Sequence, residues 1–217
     1  MLAVFYSGAV QLGFFILFPC LPADHRACAQ NAAKQGFTET EQKRLANGDL
    51  VVRPSTQRRG QWKLIGGSSW QVINSSPKVV WHALLDYQYY HRMLPRIIGV
   101  RLVDKKPDRQ LVFIKQGTDF FQVSYYLNLN IHPAGRDITF NVDEEKPHTL
   151  RAGWGFYAVR PYGQNKTILA YGVMADIGDS IFISLVQDSV HEWMLKVPEM
   201  IKRFIEGSGR HIYKKIE

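Results

Sequence analysis

A chain of 217 residues, 46% of them hydrophobic, can bury a full core, and its length favours one domain with extensions over two domains. A net charge of +8 raises nucleic acid and anionic membrane as partners, but the basic residues are scattered and no nucleic-acid recognition motif is present, so no specific nucleic-acid partner is expected. Both cysteines, Cys20 and Cys28, lie near the N-terminus, which excludes a disulfide framework or a cysteine-based metal site downstream.

From Leu2 to Phe18 the chain is apolar apart from Ser7 and Gln11 and carries no charge. Pro19 and Pro22 follow, and Ala27-Cys28-Ala29 before Gln30 matches a small-x-small cleavage site, although no basic residue precedes the apolar run. Residues 1–29 are therefore expected to be a signal peptide or a membrane anchor. The protein is then exported, periplasmic or secreted, or held at a membrane. Removing this segment takes away Arg26 and Asp24 and leaves the net charge unchanged.

Residues 30–59 form an N-terminal extension. Thr38-Glu39-Thr40-Glu41 is a capping box that starts a short helix running to Ala46, and Asn47-Gly48 stops it. Leu50 to Val52 predicts a brief strand, and the basic stretch Arg53 to Arg59 predicts an exposed, mobile segment.

The main domain is expected over residues 60–206. Gln61 to Ile73 predicts a first strand, bent or bulged at Gly66-Gly67. Ser76-Pro77 caps a short helix through Val79, Val80, Ala83 and Leu84, and a second short helix after Asp86 closes at Pro95. Strands follow without a further helix. Ile98, Val100 and Leu102 alternate; Leu111 to Lys115 returns; Phe121, Val123, Tyr125, Leu127, Leu129 and Ile131 hold one face of the clearest strand. Ile138, Phe140 and Val142 alternate next. In the following strand Leu150, Ala152, Trp154, Phe156 and Ala158 are expected on one side, opposite Arg151, Gly153, Gly155 and Tyr157, and Thr167 to Ala175 is apolar on both sides. Such meander spacing implies an antiparallel sheet.

From Ile181 to Glu206 apolar residues recur at steps of three and four, including Leu185, Val190, Trp193, Val197, Ile201 and Phe204. One long amphipathic helix is expected, capped by Asp179 or Ser180, kinked at Pro198 and ended by Gly207 at positive φ. Residues 207–217 are left as a basic tail, whose Arg210, Lys214 and Lys215 imply weak attraction to an anionic membrane surface. The fold class is α+β: a sheet of six to seven strands wrapping a long C-terminal helix, with two short helices after strand one. A curved sheet and a straight helix do not mate along their full length, so a cavity between them is expected.

Trp70-Gln71-Val72-Ile73-Asn74-Ser75-Ser76-Pro77-Lys78-Val79-Val80-Trp81, with Leu84-Leu85-Asp86-Tyr87 and Met93-Leu94-Pro95, resembles the opening of the START-like (SRPBCC) helix-grip superfamily, which includes polyketide cyclases and coenzyme-Q-binding proteins. Gly153-Trp154-Gly155, Arg160-Pro161-Tyr162-Gly163 and Lys166-Thr167 are similar to its later hairpin. The resemblance covers about residues 60–206 and implies a helix-grip fold around an apolar cavity for a lipid, quinone, polyketide or other hydrophobic small molecule. Residues of this chain placed on the expected inner face are Phe121, Val123, Tyr125, Leu127, Trp154, Phe156 and Tyr171, with Val190, Trp193 and Val197 facing them from the helix. Tyr125, Tyr171 and Trp193 join an apolar body to one polar group and are best suited to orient a ligand.

No constellation for catalysis stands out. The histidines are separated, Ser68-Ser69 and Ser75-Ser76 lack an elbow motif, and His148 near Glu144 and Glu145 is a commonplace grouping rather than a metal site. No cofactor and no metal is expected. Three functions stay open: a non-catalytic binder of a hydrophobic molecule, which is favoured; a cyclase- or hydrolase-like enzyme using the same cavity; and a basic module docking on a membrane or protein.

Overall fold

The computed structural model describes residues 36–119, 122–178 and 192–216. Helix α1 (Glu39–Ala46) opens the described chain and is followed by strands β1 (Val51–Arg59) and β2 (Trp62–Ile73). Then come α2 (Pro77–Leu84), a 3-10 turn over Tyr87–Tyr89 and α3 (Tyr90–Met93). Six further strands follow: β3 (Ile97–Lys105), β4 (Arg109–Gly117), β5 (Gln122–His132), β6 (Asp137–Val142), β7 (Ala152–Pro161) and β8 (Thr167–Asp176). Helices α4 (Val197–Glu206) and α5 (Arg210–Tyr213) end the chain.

All eight strands form one antiparallel sheet in the order β1-β2-β8-β7-β6-β5-β4-β3. The count exceeds the six to seven expected because Arg53 to Arg59, expected as a mobile stretch, is strand β1. Its side chains beyond Val51 are half-buried or exposed, so no apolar alternation marks it; the backbone ladder to β2 holds it, running from Val51–Trp70 to Arg59–Trp62. Pro54 sits within this edge strand, where a missing amide donor is tolerated. The other edge is β3, with register shifts at Ile97/Gly99 and Leu102/Asp104.

Gly66 and Gly67 do not bulge β2, since its register to both neighbours runs through them unshifted. They adopt φ values of 153° and 137°, and a Cβ there would stand 1.9 Å from the Val173 carbonyl oxygen or 2.3 Å from that of Arg53. Close backbone approach is what these positions require.

Local signals set the helix starts. Thr38 accepts the Glu41 amide at 3.2 Å while its own amide donates to Glu41 Oε2 at 2.8 Å, which completes the expected capping box. Ser76 accepts the Val79 amide at 3.4 Å, with Pro77 at the first position of α2.

The C-terminal region differs from the single long helix expected. Residues 179–191, including the proposed caps Asp179 and Ser180, lie outside the described residues. A helical turn over residues 192–195 stops at Lys196, whose amide is shared between the carbonyls of Glu192 and Trp193, both at 3.2 Å. Pro198 is then in the first turn of α4, and with no amide it leaves the Met194 carbonyl without a helical donor. The break therefore precedes the proline. Gly207 has φ −102° rather than a positive value; a Cβ there would lie 2.7 Å from the Arg203 carbonyl oxygen, so close approach explains the glycine.

Helix α4 lies on one face of the sheet, here called inner. Val197, Ile201, Phe204 and Ile205 join Ile73, Val112, Ile114, Leu129, Phe140, Tyr157 and Leu169 in the main core. Lys202 fixes its end by donating to the Val72 carbonyl at 3.0 Å, and Glu206 accepts the Asn74 amide at 2.7 Å. Within the expected tail, Tyr213 is buried in this core and donates to Asp86 at 3.2 Å. On the outer face α1 covers β2, β7 and β8 through Leu45, Trp70, Phe156, Ala158 and Ala170. Arg53 ties α1 to this layer with two hydrogen bonds to Glu41, at 2.8 and 2.7 Å, and its guanidinium lies 5.1 Å from the Trp70 ring centre.

Candidate functional site: a cavity between sheet and helix

Strict period-two alternation brings one residue set from each central strand to the inner face. The registers Ile114–Tyr125, Val112–Leu127 and Leu127–Val142 line up largely apolar side chains across β4, β5 and β6, and Gln116–Val123 adds one amide. Phe140 faces Gly155, and Tyr157 faces Tyr171, extending the wall over β7 and β8. Tyr87, Tyr90, Leu94, Pro95 and Arg96 close it from the short helices, and Trp193, Met194 and Val197 from the C-terminal region. These residues surround a cavity of about 150 Å³. A single water needs only about 10–15 Å³ on this measure, so the space is not a packing defect.

Seven of the ten residues expected at the site line this cavity: Val123, Tyr125, Leu127, Trp154, Tyr171, Trp193 and Val197. Phe121 and Val190 lie outside the described residues. Phe156 does not belong to the site. It is on the outer face with Trp70 and Leu45, because β7 presents Gly153, Gly155, Tyr157 and Val159 inward, the reverse of the expected assignment. Trp154 shares that outward parity; it packs with Leu64, Ala152, Trp62 and Met174 while still bordering the cavity. Asp119 and Arg151 are not in the lining. His148 directs Nδ1 at the Leu150 carbonyl, 2.5 Å away, and no metal-binding group occurs among the described residues.

The sequence pointed to Tyr125 and Tyr171 as polar groups of the site but not to Tyr157, Tyr87 or Tyr90. Five tyrosines line the cavity: Tyr87, Tyr90, Tyr125, Tyr157 and Tyr171. Burial pushes all five phenols up from their ordinary range, so each is protonated at neutral pH and serves as a hydrogen-bonding group. Three are occupied. Tyr87 donates to Gln110, Tyr125 to Gln116, and Tyr90 to the Leu84 carbonyl at 2.6 Å. Tyr157 and Tyr171, whose rings lie 4.9 Å apart beside Phe140, have no hydrogen-bond partner for their hydroxyls among the described residues. Ser69, next to Tyr171 in register, also has a buried Oγ without a partner.

Gly155 makes this wall possible, since a Cβ there would stand 2.4 Å from Phe140 Cζ on the inner face. The pairing of a glycine with a large aromatic on the neighbouring strand was the available clue that Gly155 and Tyr157 face inward. At the cavity edge Arg96 adopts φ 56°, accepts the Gly117 amide at 2.9 Å and stacks over Trp193 at 3.5 Å from the ring centre.

No family model matches the sequence, and no curated protein matches it. Solved structures do match the fold. An aromatase/cyclase from a Streptomyces species is 13% identical, covering 67% of this chain and 98% of its own with a TM-score of 0.53. The STAR-related lipid transfer protein of Xanthomonas axonopodis is 12% identical over 71% of this chain and 99% of its own, at 0.53. Human STARD10 is 11% identical over 89% and 84%, at 0.54. The order of elements, the antiparallel sheet and the terminal helix seated on its inner face together identify the chain as having a START/SRPBCC-like fold.

Proposed function

We propose that this protein binds a hydrophobic small molecule (a lipid, quinone or polyketide-like compound) in the cavity between sheet and C-terminal helix, without transforming it. The observation that carries this reading is an unfilled apolar cavity whose wall presents two phenol hydroxyls, those of Tyr157 and Tyr171, with no hydrogen-bond partner among the described residues. These hydroxyls face the cavity with no protein acceptor or donor among the described residues, and a ligand oxygen would supply their hydrogen bond. The ionisable lining groups are these phenols and Arg96. Held neutral, the phenols supply orientation rather than a general base. The lining residues Val123, Tyr125, Leu127, Trp193 and Val197 would then contact the apolar body of the ligand.

The test is native mass spectrometry of gently extracted protein, with displacement of a fluorescent apolar probe. Bound apolar material is expected, and Val173→Trp, which fills the cavity, is expected to abolish probe binding. Protein that carries nothing and binds the probe equally well with Val173→Trp would overturn the proposal. The reading extends to an exported or membrane-anchored protein, supported by the uncharged apolar run Leu2–Phe18 and the Ala27-Cys28-Ala29 sequence. Amino-terminal sequencing of material from the native host tests it; a mature protein starting at Gln30 is the expected result.

A further inference from the structure

A second depression abuts the cavity. It is a groove of about 490 Å³ between the α3–β3 connection and α4, and it shares Pro95, Arg96 and Trp193 with the cavity wall. Its chemistry is opposite. Arg92, Arg96, Lys196 and Arg203 line it against one acid, Glu199. Two of these cations are already neutralised, since Lys196 pairs with Glu192 and Arg203 donates to Glu199 at 2.5 Å. Arg92 and Arg96 have aromatic partners only: Arg92 lies 5.6 Å from the Phe204 ring centre, and Arg96 stacks on Trp193. Neither forms an ion pair with a carboxylate among the described residues.

Arg96 is held there by its backbone. A non-glycine residue at positive φ is uncommon and must be held by its surroundings, here by the hydrogen bond from Gly117 to its carbonyl. The stacked Arg96–Trp193 pair thus borders an apolar space on one side and a cationic one on the other. A guanidinium stacked on indole still has its in-plane N–H groups free for an oxyanion, and a planar fork suits a carboxylate or phosphate.

We propose that the ligand is an anionic amphiphile, with its apolar part in the cavity and its phosphate or carboxylate head in the groove against Arg92 and Arg96. This rests on the cavity-binding reading above. The cavity alone would accept any apolar molecule of suitable size; the adjoining pair of arginines selects among them by charge.

The experiment compares two probes with the same acyl chain, oleoyl lysophosphatidate and mono-oleoylglycerol, below their critical micelle concentrations. Displacement of the fluorescent apolar probe gives the affinity ratio. The wild-type protein is expected to prefer the phosphate by about tenfold or more, as charge-assisted hydrogen bonds to a guanidinium imply. R92Q/R96Q is expected to bring the ratio close to one, and R92K/R96K, which keeps the charge but loses the fork and the stacking, to give an intermediate ratio; thermal melting checks that each variant folds. A ratio near one in the wild type, or one unchanged in R92Q/R96Q, overturns the proposal while leaving the cavity reading intact. Failure of both probes to bind overturns both. Inorganic phosphate displacing lysophosphatidate at similar concentration would show that the groove serves a free anion, and would also overturn it.

Discussion

On β7 and β8 alternate residues serve two faces that are packed to different ends. Outward, Phe156 is pressed over Gly172, where a Cβ would stand 2.3 Å from its ring, and Trp70, Ala158, Ala170 and Leu45 complete a filled layer under α1. Inward, one residue along, Tyr157 and Tyr171 border unfilled space. The same two strands thus supply a closed stabilising layer and one wall of an open cavity. Neighbouring positions in one strand should therefore respond to mutation in opposite ways.

The largest contrast is expected for Trp70→Ala. It removes a side chain 1% exposed from the filled layer and should cost about 3–5 kcal/mol of unfolding free energy in chemical denaturation. Overpacking sharpens the comparison. Ala158→Leu, at a fully buried outer position, should destabilise by about 1–3 kcal/mol, whereas Ala175→Leu, which lines the cavity, should stay within about 1 kcal/mol of wild type and weaken apolar-probe binding. Equal losses at both positions would break the distinction between the faces. Tyr157→Phe with Tyr171→Phe deletes two cavity-facing hydroxyls that make no hydrogen bond to the described residues, so empty protein should stay within about 1 kcal/mol of wild type, while affinity for an oxygen-bearing ligand falls about tenfold.

The smallest effect is expected far from the cavity. Arg53, hydrogen-bonded to Glu41, with help from the Thr38 amide, holds the Glu41 carboxyl down at about 2, against an ordinary 4.5. A depressed acid stabilises the fold above its unfolded pKa, so this contribution is full above pH 4.5 and is lost as pH falls toward 2. Glu41→Gln should remove that part of the acid dependence and little else, since partly exposed pairs contribute about 0.2–1 kcal/mol. Denaturation midpoints between pH 5 and pH 2, compared for the two proteins, check it.

The parts of the fold legible in the sequence were those where a local signal had no rival. Thr38 with Glu41 and Ser76 with Pro77 set helix starts through bonds made within one turn. Strand β5 alternated cleanly because its inner residues border the cavity and Gln122, Ser124, Asn128 and Asn130 hold its other side. On β7 both faces are covered, so hydrophobicity could not decide the parity of Trp154, Phe156 and Tyr157; the decision came from Phe140 needing Gly155 opposite it. Strand β1 was hidden for the converse reason, as its order comes from the backbone ladder to β2 and leaves no side-chain pattern. The cavity and its Tyr125 and Tyr171 were anticipated, whereas Tyr157 joined the wall from the side of β7 expected to face away.

Among the described residues the open sheet ends in two strands with one unpaired edge each, and their makeup bears on self-association. Along β1 an incoming chain would find Pro54 without a donor and the like charges of Arg53, Arg58 and Arg59; along β3 it would meet two register irregularities and Arg101 and Lys105. Both borders obstruct ladder growth, which allows the sheet to stay unclosed without inviting fibre-like stacking between molecules.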